Sequence, residues 1–288
     1  MHPSFLFQKP EFLKRQGSYI LLEESGIRIA LFGEANLFSP ARAPFGGFEF
    51  EAGTGPVEFS RMLNCLDEYA AKNKIESLEI VLPPDAYCPE RSGWVLDLLS
   101  DFDYQLVFKD LNFHLNTSTS GSFHSNLHRS ERWKLKKAER EGFGFKQIVN
   151  PDWDFVHAFV LASRERKGYK LSMTKTALED SFFSFPGAYR VWRVDKDLEC
   201  AAIAVTVTVC EEIEYIFYTA DDLKFRRYSP VVMLHDGLFK QALLENRRIL
   251  DMGTASLMGE VNQGVADFKR YLGGIEGNRI CLRKSWNP

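Results

Sequence analysis

The sequence predicts an α/β chain, of the α+β kind, built as two like units in tandem, each a mixed, mostly antiparallel sheet flanked by helices. Three observations lead there. Residues 212–253 read as strand, basic loop, long apolar helix, strand. The two halves echo each other, each with a hairpin or meander, a loop with Arg and Pro, an amphipathic helix and a strand. Between them Thr117-Ser118-Thr119-Ser120-Gly121-Ser122 is the clearest linker in the chain, which places the units at 1–118 and 119–288. The plainer alternative is one α/β domain with an N-terminal extension.

The elements are set by local pattern. Residues 8–16 form a short opening helix, and 19–24 and 27–32 a hairpin about Ser25-Gly26. A loop over 38–48 carries Arg42 and Pro44. The helix over 57–72 keeps Phe59, Met62, Leu63, Leu66 and Ala70 at helical spacing. A strand at 77–82, a helix at 93–101 and strands at 104–108 and 111–115 complete the first half. The second half opens on a charged helix over 123–141, a strand at 143–149, and helices at 153–168 and 175–183. Next comes a meander of strands at 189–194, 200–210 and 213–219. Ser229 is the expected N-cap and Pro230 the first residue of an apolar helix reaching about 246. A strand at 248–253, a helix at 262–271, the turn Leu272-Gly273-Gly274 and a strand at 279–283 end the chain.

Composition narrows the function classes. The 288 residues are 45% hydrophobic and 26% charged, with 24 Phe, as in an ordinary globular protein with a sizeable core. The net charge of −3 means that any phosphate or nucleic-acid contact must come from a local patch. Five scattered cysteines without a C-x-x-C pair argue for reduced thiols and give no zinc pattern. No signal-type apolar core opens the chain, and the longest apolar run, 201–210, is too short to cross a bilayer. The expectation is a cytoplasmic protein without a metal and without membrane insertion. The sequence leaves the oligomeric state open and is compatible with a monomer.

Three places could carry chemistry. The loop Arg226-Arg227-Tyr228-Ser229-Pro230-Val231 leads into a helix N-terminus, where amides and the helix dipole favour an anion. On the helix 123–141, Arg129, Arg132, Trp133, Lys136 and Arg140 fall on one stripe, suited to phosphate or carboxylate; Phe123, Leu127, Leu135 and Ala138 lie opposite. The plain alternative is a solvated face. The third is Asp267-Phe268-Lys269-Arg270-Tyr271-Leu272-Gly273-Gly274. Phe268, Tyr271 and Leu272 give it an inward face, and Lys269 lies at that face's edge; a helix C-cap at Gly273 is the structural alternative. Glu214, Tyr218 and Asp251 stand on the central strands, where a solvated strand-end group is the plainer fate of each. His235, inside the apolar helix, reads as a satisfied core histidine, and Gly237 beside it as a site of close helix–sheet approach.

Residues 212–253 and the segment C-terminal to them resemble the GNAT acyltransferase superfamily, and most of all its FemABX-like branch. The basic helix matches that branch's Arg-x-x-x-x-Lys-Ala-x-x-x-Gly pattern at Arg132, Lys137, Ala138 and Gly142. The ending Phe268-Lys269-x-Tyr271 also resembles the branch, although Leu272 intervenes before Gly273. The loop at 226–231 departs from the usual GNAT pattern, since it has no glycine and Pro230 removes an amide donor.

The resemblance implies two tandem GNAT-like lobes and an N-acyltransferase acting on an amine acceptor. The donor would be acyl-CoA or, in FemABX-like transfer, an aminoacyl-tRNA; the net charge makes tRNA the less favoured. Arg226, Arg227, Tyr228, Ser229 and Val231 would bind the donor. Arg129, Arg132, Trp133 and Lys136 would bind substrate, and Lys269 would belong to the active centre, with Glu214, Tyr218 and Asp251 as its acid–base candidates. The rival is a non-catalytic GNAT-fold protein that binds a phosphate-bearing ligand.

Overall fold

The computed structural model describes residues 4–117 and 123–286. The chain begins with helix α1 (Pro10–Gln16), strands β1 (Ile20–Glu24), β2 (Ile27–Gly33), β3 (Asn36–Ser39) and β4 (Phe48–Phe50), helix α2 (Pro56–Asn73), strand β5 (Ser77–Val81), helix α3 (Pro89–Asp101) and strand β6 (Gln105–Asn116). Then come α4 (Phe123–Asn126), α5 (Arg129–Arg140), β7 (Gly144–Ile148), α6 (Trp153–Glu165), α7 (Lys175–Ser184) and the meander β8 (Tyr189–Lys196), β9 (Glu199–Cys210), β10 (Ile213–Asp221). A 3-10 turn (Leu223–Tyr228) leads into α8 (Pro230–Leu244) and β11 (Ile249–Thr254). The chain closes with the short hairpin β12 (Ser256–Leu257) and β13 (Glu260–Val261), α9 (Gln263–Tyr271) and β14 (Ile275–Ser285).

The fold is α/β, with a large, mostly antiparallel sheet flanked by helices. Among the described residues no helix is long and apolar enough to cross a membrane. The chain divides into two compact units. Unit 1 is Met1–Asn112 with Thr254–Asn262 and Glu276–Pro288; unit 2 is Phe113–Gly253 with Gln263–Ile275. Of the run expected as a linker, residues 118–122 lie outside the described ones.

Unit 1 orders its strands β1-β2-β3-β5-β14-β6, with β4 on β2. Ser25 and Gly26 take positive φ, 52° and 74°, as the tight turn of the β1–β2 hairpin requires. The segment 38–48, expected as a loop, contributes residues to β3 and β4. Strand β3 pairs with β5 in parallel, and α2 connects them. The apolar face of α2 is as expected, with Phe59, Met62, Leu63, Leu66 and Ala70 all buried. They pack with Leu31, Leu78, Ile80 and, from β14, Leu282. The last strand of the chain is therefore a core strand of unit 1, paired with β5 from Cys281–Val81 to Ser285–Ser77.

Unit 2 orders its strands β6-β11-β10-β9-β8-β7. The same plan recurs: β10 and β11 are parallel and α8 connects them. Ten residues of α8 are buried, as its all-round apolarity demands. Ser229 stands at its N-cap position, though its side chain makes no capping bond. Gly237 faces the Phe145 ring of β7. A Cβ there would lie 2.3–2.5 Å from the ring atoms.

The charged helix expected over 123–141 is instead two helices, broken at Leu127-His128. The break has partners on both sides. The His128 imidazole accepts from Ser130 N (3.3 Å), while the His128 amide donates to Tyr271 O (2.8 Å). The Arg132 guanidinium turns back to Leu127 O (2.9 Å) and Ser125 O (3.4 Å). The inner face is as expected, with Phe123, Leu127, Leu135 and Ala138 buried.

Candidate active site

The chemistry of unit 2 gathers where β10 and β11 part. Their parallel register covers Ile213–Ile249, Glu214–Leu250 and Tyr215–Asp251; β10 runs on to Asp221. Just past that point the β9–β10 register shifts between Ile216 and Tyr218, a bulge of the kind that re-aims side chains. Tyr215, Phe217 and Tyr218 line up there, ring to ring, at centroid distances of 6.0 and 4.2 Å.

At the end of β11 the Asp251 carboxylate is 1% exposed and accepts from Gly253 N (2.7 Å). Gly253 has φ +75°, and a Cβ on it would lie 3.3 Å from the Tyr215 ring. So this point of β11 favours glycine twice over, for its backbone and for the tyrosine against it. Helix α9 brings Lys269 to the same point. Its Nζ donates to Gly253 O (2.8 Å) and lies 5.9 Å from the Phe113 ring centroid. Burial drives the Lys269 pKa from 10.5 down to about 7, against the pull of the Asp251 charge. His235 of α8 is the third member. Its Nδ1 bonds Val231 O (2.8 Å), and its ring meets Phe268 at 6.0 Å. Burial above all, with the Lys269 charge helping and the bond to Val231 O opposing, lowers its pKa to about 4, so it is neutral at neutral pH.

Gly273 ends α9 with φ +80° and lies against Asn126, so the C-cap and a buried lysine coexist. Tyr271, expected on the inward face, is instead 45% exposed and stacks on His128 with centroids 4.6 Å apart. The helix break at His128 supplies that partner, and no local pattern in the sequence signals it.

The other acid–base candidates are already bound elsewhere. Glu214, 2% exposed, accepts from Arg190 (2.7 Å) and Thr208 Oγ1 (2.8 Å), and Arg190 also holds Glu245. The Tyr218 hydroxyl bonds Ser172 Oγ (2.5 Å) and accepts from Met173 N (3.2 Å). Burial raises its pKa, and Arg164 lies over its ring at 5.0 Å.

In the basic loop Arg226 and Arg227 are exposed, while Tyr228 is buried against Phe143 (5.2 Å). Three cations surround the Tyr228 ring: Arg227 at 4.7 Å, Lys137 at 5.0 Å and Lys196 at 5.1 Å. Lys137 also lies 5.3 Å from the exposed Trp133 ring, so it links the basic helix to the loop. The helical stripe did not contain Lys137; the family pattern did. Of the stripe itself, Arg129 and Lys136 are exposed and Arg132 caps carbonyls. The loop offers few free amides. Ser229 N donates to Arg226 O, Val232 N donates to Ser229 O, and Pro230 has no N–H. The residues therefore fit a phosphate-bearing ligand through side-chain cations, and not through the backbone cradle of a glycine-rich loop.

A family model described as an acetyltransferase (GNAT) domain matches residues 125–270, about half of the chain. Among solved structures the chain is similar to FemX, with a TM-score of 0.73 over 98% of this chain and 92% of that one, at 14% identity. It is also similar to the C-terminal domain of a putative lysylphosphatidylglycerol synthetase from Agrobacterium fabrum, with a TM-score of 0.64, 13% identity, and 96% and 87% of the two chains covered. L-PGS from Bacillus licheniformis gives 0.61, 14%, 96% and 87%. At these identities the likeness is one of fold. Among curated proteins none matches.

Proposed function

The chain belongs to the GNAT acetyltransferase family, and from that premise we propose that it is an N-acyltransferase that passes an acyl or aminoacyl group from a phosphate-bearing donor to an amine. The observation that carries this reading is Lys269, a lysine buried at the parting of two parallel strands beside Asp251. The amine nitrogen attacks the donor carbonyl, a C–N bond forms, and negative charge moves to the carbonyl oxygen. The nitrogen gives up a proton, the thioester or ester bond breaks, and the carrier leaves with that proton on its sulfur or oxygen. A charged Lys269 in a site of low polarity stabilises that oxygen or the leaving group. Asp251 keeps a fraction of Lys269 protonated near neutral pH. His235, neutral and bonded to Val231 O, packs at the site without adding a second cation.

Arg226, Arg227 and Lys137 supply positive charge for the donor's phosphates, and Trp133 offers a ring for a base to stack on. Both acyl-CoA and aminoacyl-tRNA present those groups. The two units, each with its parallel strand–helix–strand centre, are read as two GNAT-like lobes.

The test is turnover with acetyl-CoA, longer acyl-CoAs and aminoacyl-tRNA against a panel of amines. Lys269→Met, which keeps the stem and removes the charge, should fold and lose about 10²–10³ in kcat. The wild-type kcat should fall as pH rises through about 7, where Lys269 loses its proton. Wild-type rates in Lys269→Met would end the lysine's role. Donor binding without turnover on any amine would favour a binding protein that keeps the fold without the chemistry.

A further inference from the structure

Unit 1 has a site of its own. An open cleft lies between β4, the end of β5, the start of α3 and β14. Its floor is apolar, made by Phe48, Phe50, Leu82, Val95 and Ile280. Three ionised side chains stand on its wall. Glu49 is already neutralised by Arg28 at 2.7 Å. Asp85 and Arg91 add one charge of each sign.

Both are held in place. Asp85 Oδ2 accepts from Asn278 Nδ2 at 2.8 Å. Its Oδ1 lies 2.5 Å from where a Cβ on residue 277 would be, so a side chain there would push the carboxylate aside. The Arg91 guanidinium rests on the Phe50 ring, 4.3 Å from its centroid, and reaches Cys88 Sγ at 3.5 Å. A guanidinium over an aromatic face can still offer its edge donors to a planar anion. A neutral apolar guest would strip water from both charges and put nothing polar in its place, which costs free energy. An anion alone would meet Asp85, and a cation alone would meet Arg91.

We propose that this cleft binds a zwitterion with an apolar body, a hydrophobic amino acid or a short apolar peptide. Its ammonium group pairs with Asp85, its carboxylate with Arg91, and its side chain lies on the floor. The proposal is independent of the acyl-transfer reading and needs no donor.

The test is calorimetric titration of the full chain with phenylalanine, leucyl-phenylalanine, 3-phenylpropanoate and 2-phenylethylamine. At least one of the two zwitterions should bind, and removing either charge from the ligand should weaken binding about tenfold or more. Arg91→Gln should bring the zwitterion and the amine to equal affinity. Asp85→Asn should do the same for the zwitterion and the acid. Val95→Trp, which fills the floor, should abolish binding, with circular dichroism confirming the fold of each variant. The proposal fails if no zwitterion binds, if an analogue with one charge binds as tightly as the zwitterion, or if folded Val95→Trp binds as well as wild type. Should a variant not fold, the ligand series on the wild type decides alone.

Discussion

Lys269 sits 8% exposed, and that burial favours its neutral form although its Nζ donates to Gly253 O at 2.8 Å. Its folded pKa of about 7 lies below the ordinary 10.5. Between those values the unfolded chain holds a proton that the folded chain has released. Stability from this residue therefore rises with pH from about 7 to 10.5, by up to about 1.4 kcal/mol per pH unit. Below pH 7 both states are charged and the slope from Lys269 vanishes. His235 acts in the same direction in a lower window, from its folded value of about 4 to its ordinary 6.5. Urea unfolding measured from about pH 7 to 10 should show the upper slope in the wild type and lose it in Lys269→Met. A slope of equal size in the variant would assign it to another group. The sequence reached Lys269 by resemblance, and the spacing of Phe268 and Leu272 brought it to the edge of the buried face. What it could not show was Gly253 O as the lysine's partner, because that bond joins two elements 16 residues apart.

At the scale of elements, α8 shows how a local preference can be overruled. Alanine normally stabilises a helix interior over glycine by about 1 kcal/mol. At position 237 the added carbon would fall 2.3 Å from the Phe145 ring, which is itself stacked on Trp192 at 5.4 Å. Gly237→Ala should therefore destabilise unit 2 by about 1–3 kcal/mol, read from denaturant midpoints. Gly237→Ala with Phe145→Ala should recover part of the helix gain; no coupling between the two would disprove the contact. The α8 glycine was legible because it interrupted an apolar helix. The meander, the β1–β2 turn and the α2 face were legible for a similar reason, since period and turn chemistry are local. The break at Leu127-His128 was not, because it is stabilised by Tyr271 O, far along the chain. Strands β3 and β4 were hidden by the prolines and glycines around them. Among the site residues, Glu214 and Tyr218 look free on a strand pattern; their partners Arg190, Thr208 and Ser172 come from other elements.

At the scale of the whole chain, unit 1 is assembled from its two ends. Its strand β14 covers β5, adds Leu282 to the core, and ties back through Lys284 and Trp286 Nε1, both bonded to Asp67. Residues 1–117 made alone should therefore aggregate or stay largely unfolded, since β5 is left with an open edge. The same piece with residues 276–286 joined by a flexible linker should regain cooperative unfolding by circular dichroism. Independent folding of 1–117 would show that β14 is dispensable. The arrangement also sets an order in time. As the chain leaves the ribosome, residues 1–112 emerge well before residues 276–285, the strand that closes their core. At about 5–20 residues per second, roughly ten to thirty seconds pass between the two. For that interval the nascent first half exposes the apolar groove that Leu282 will fill.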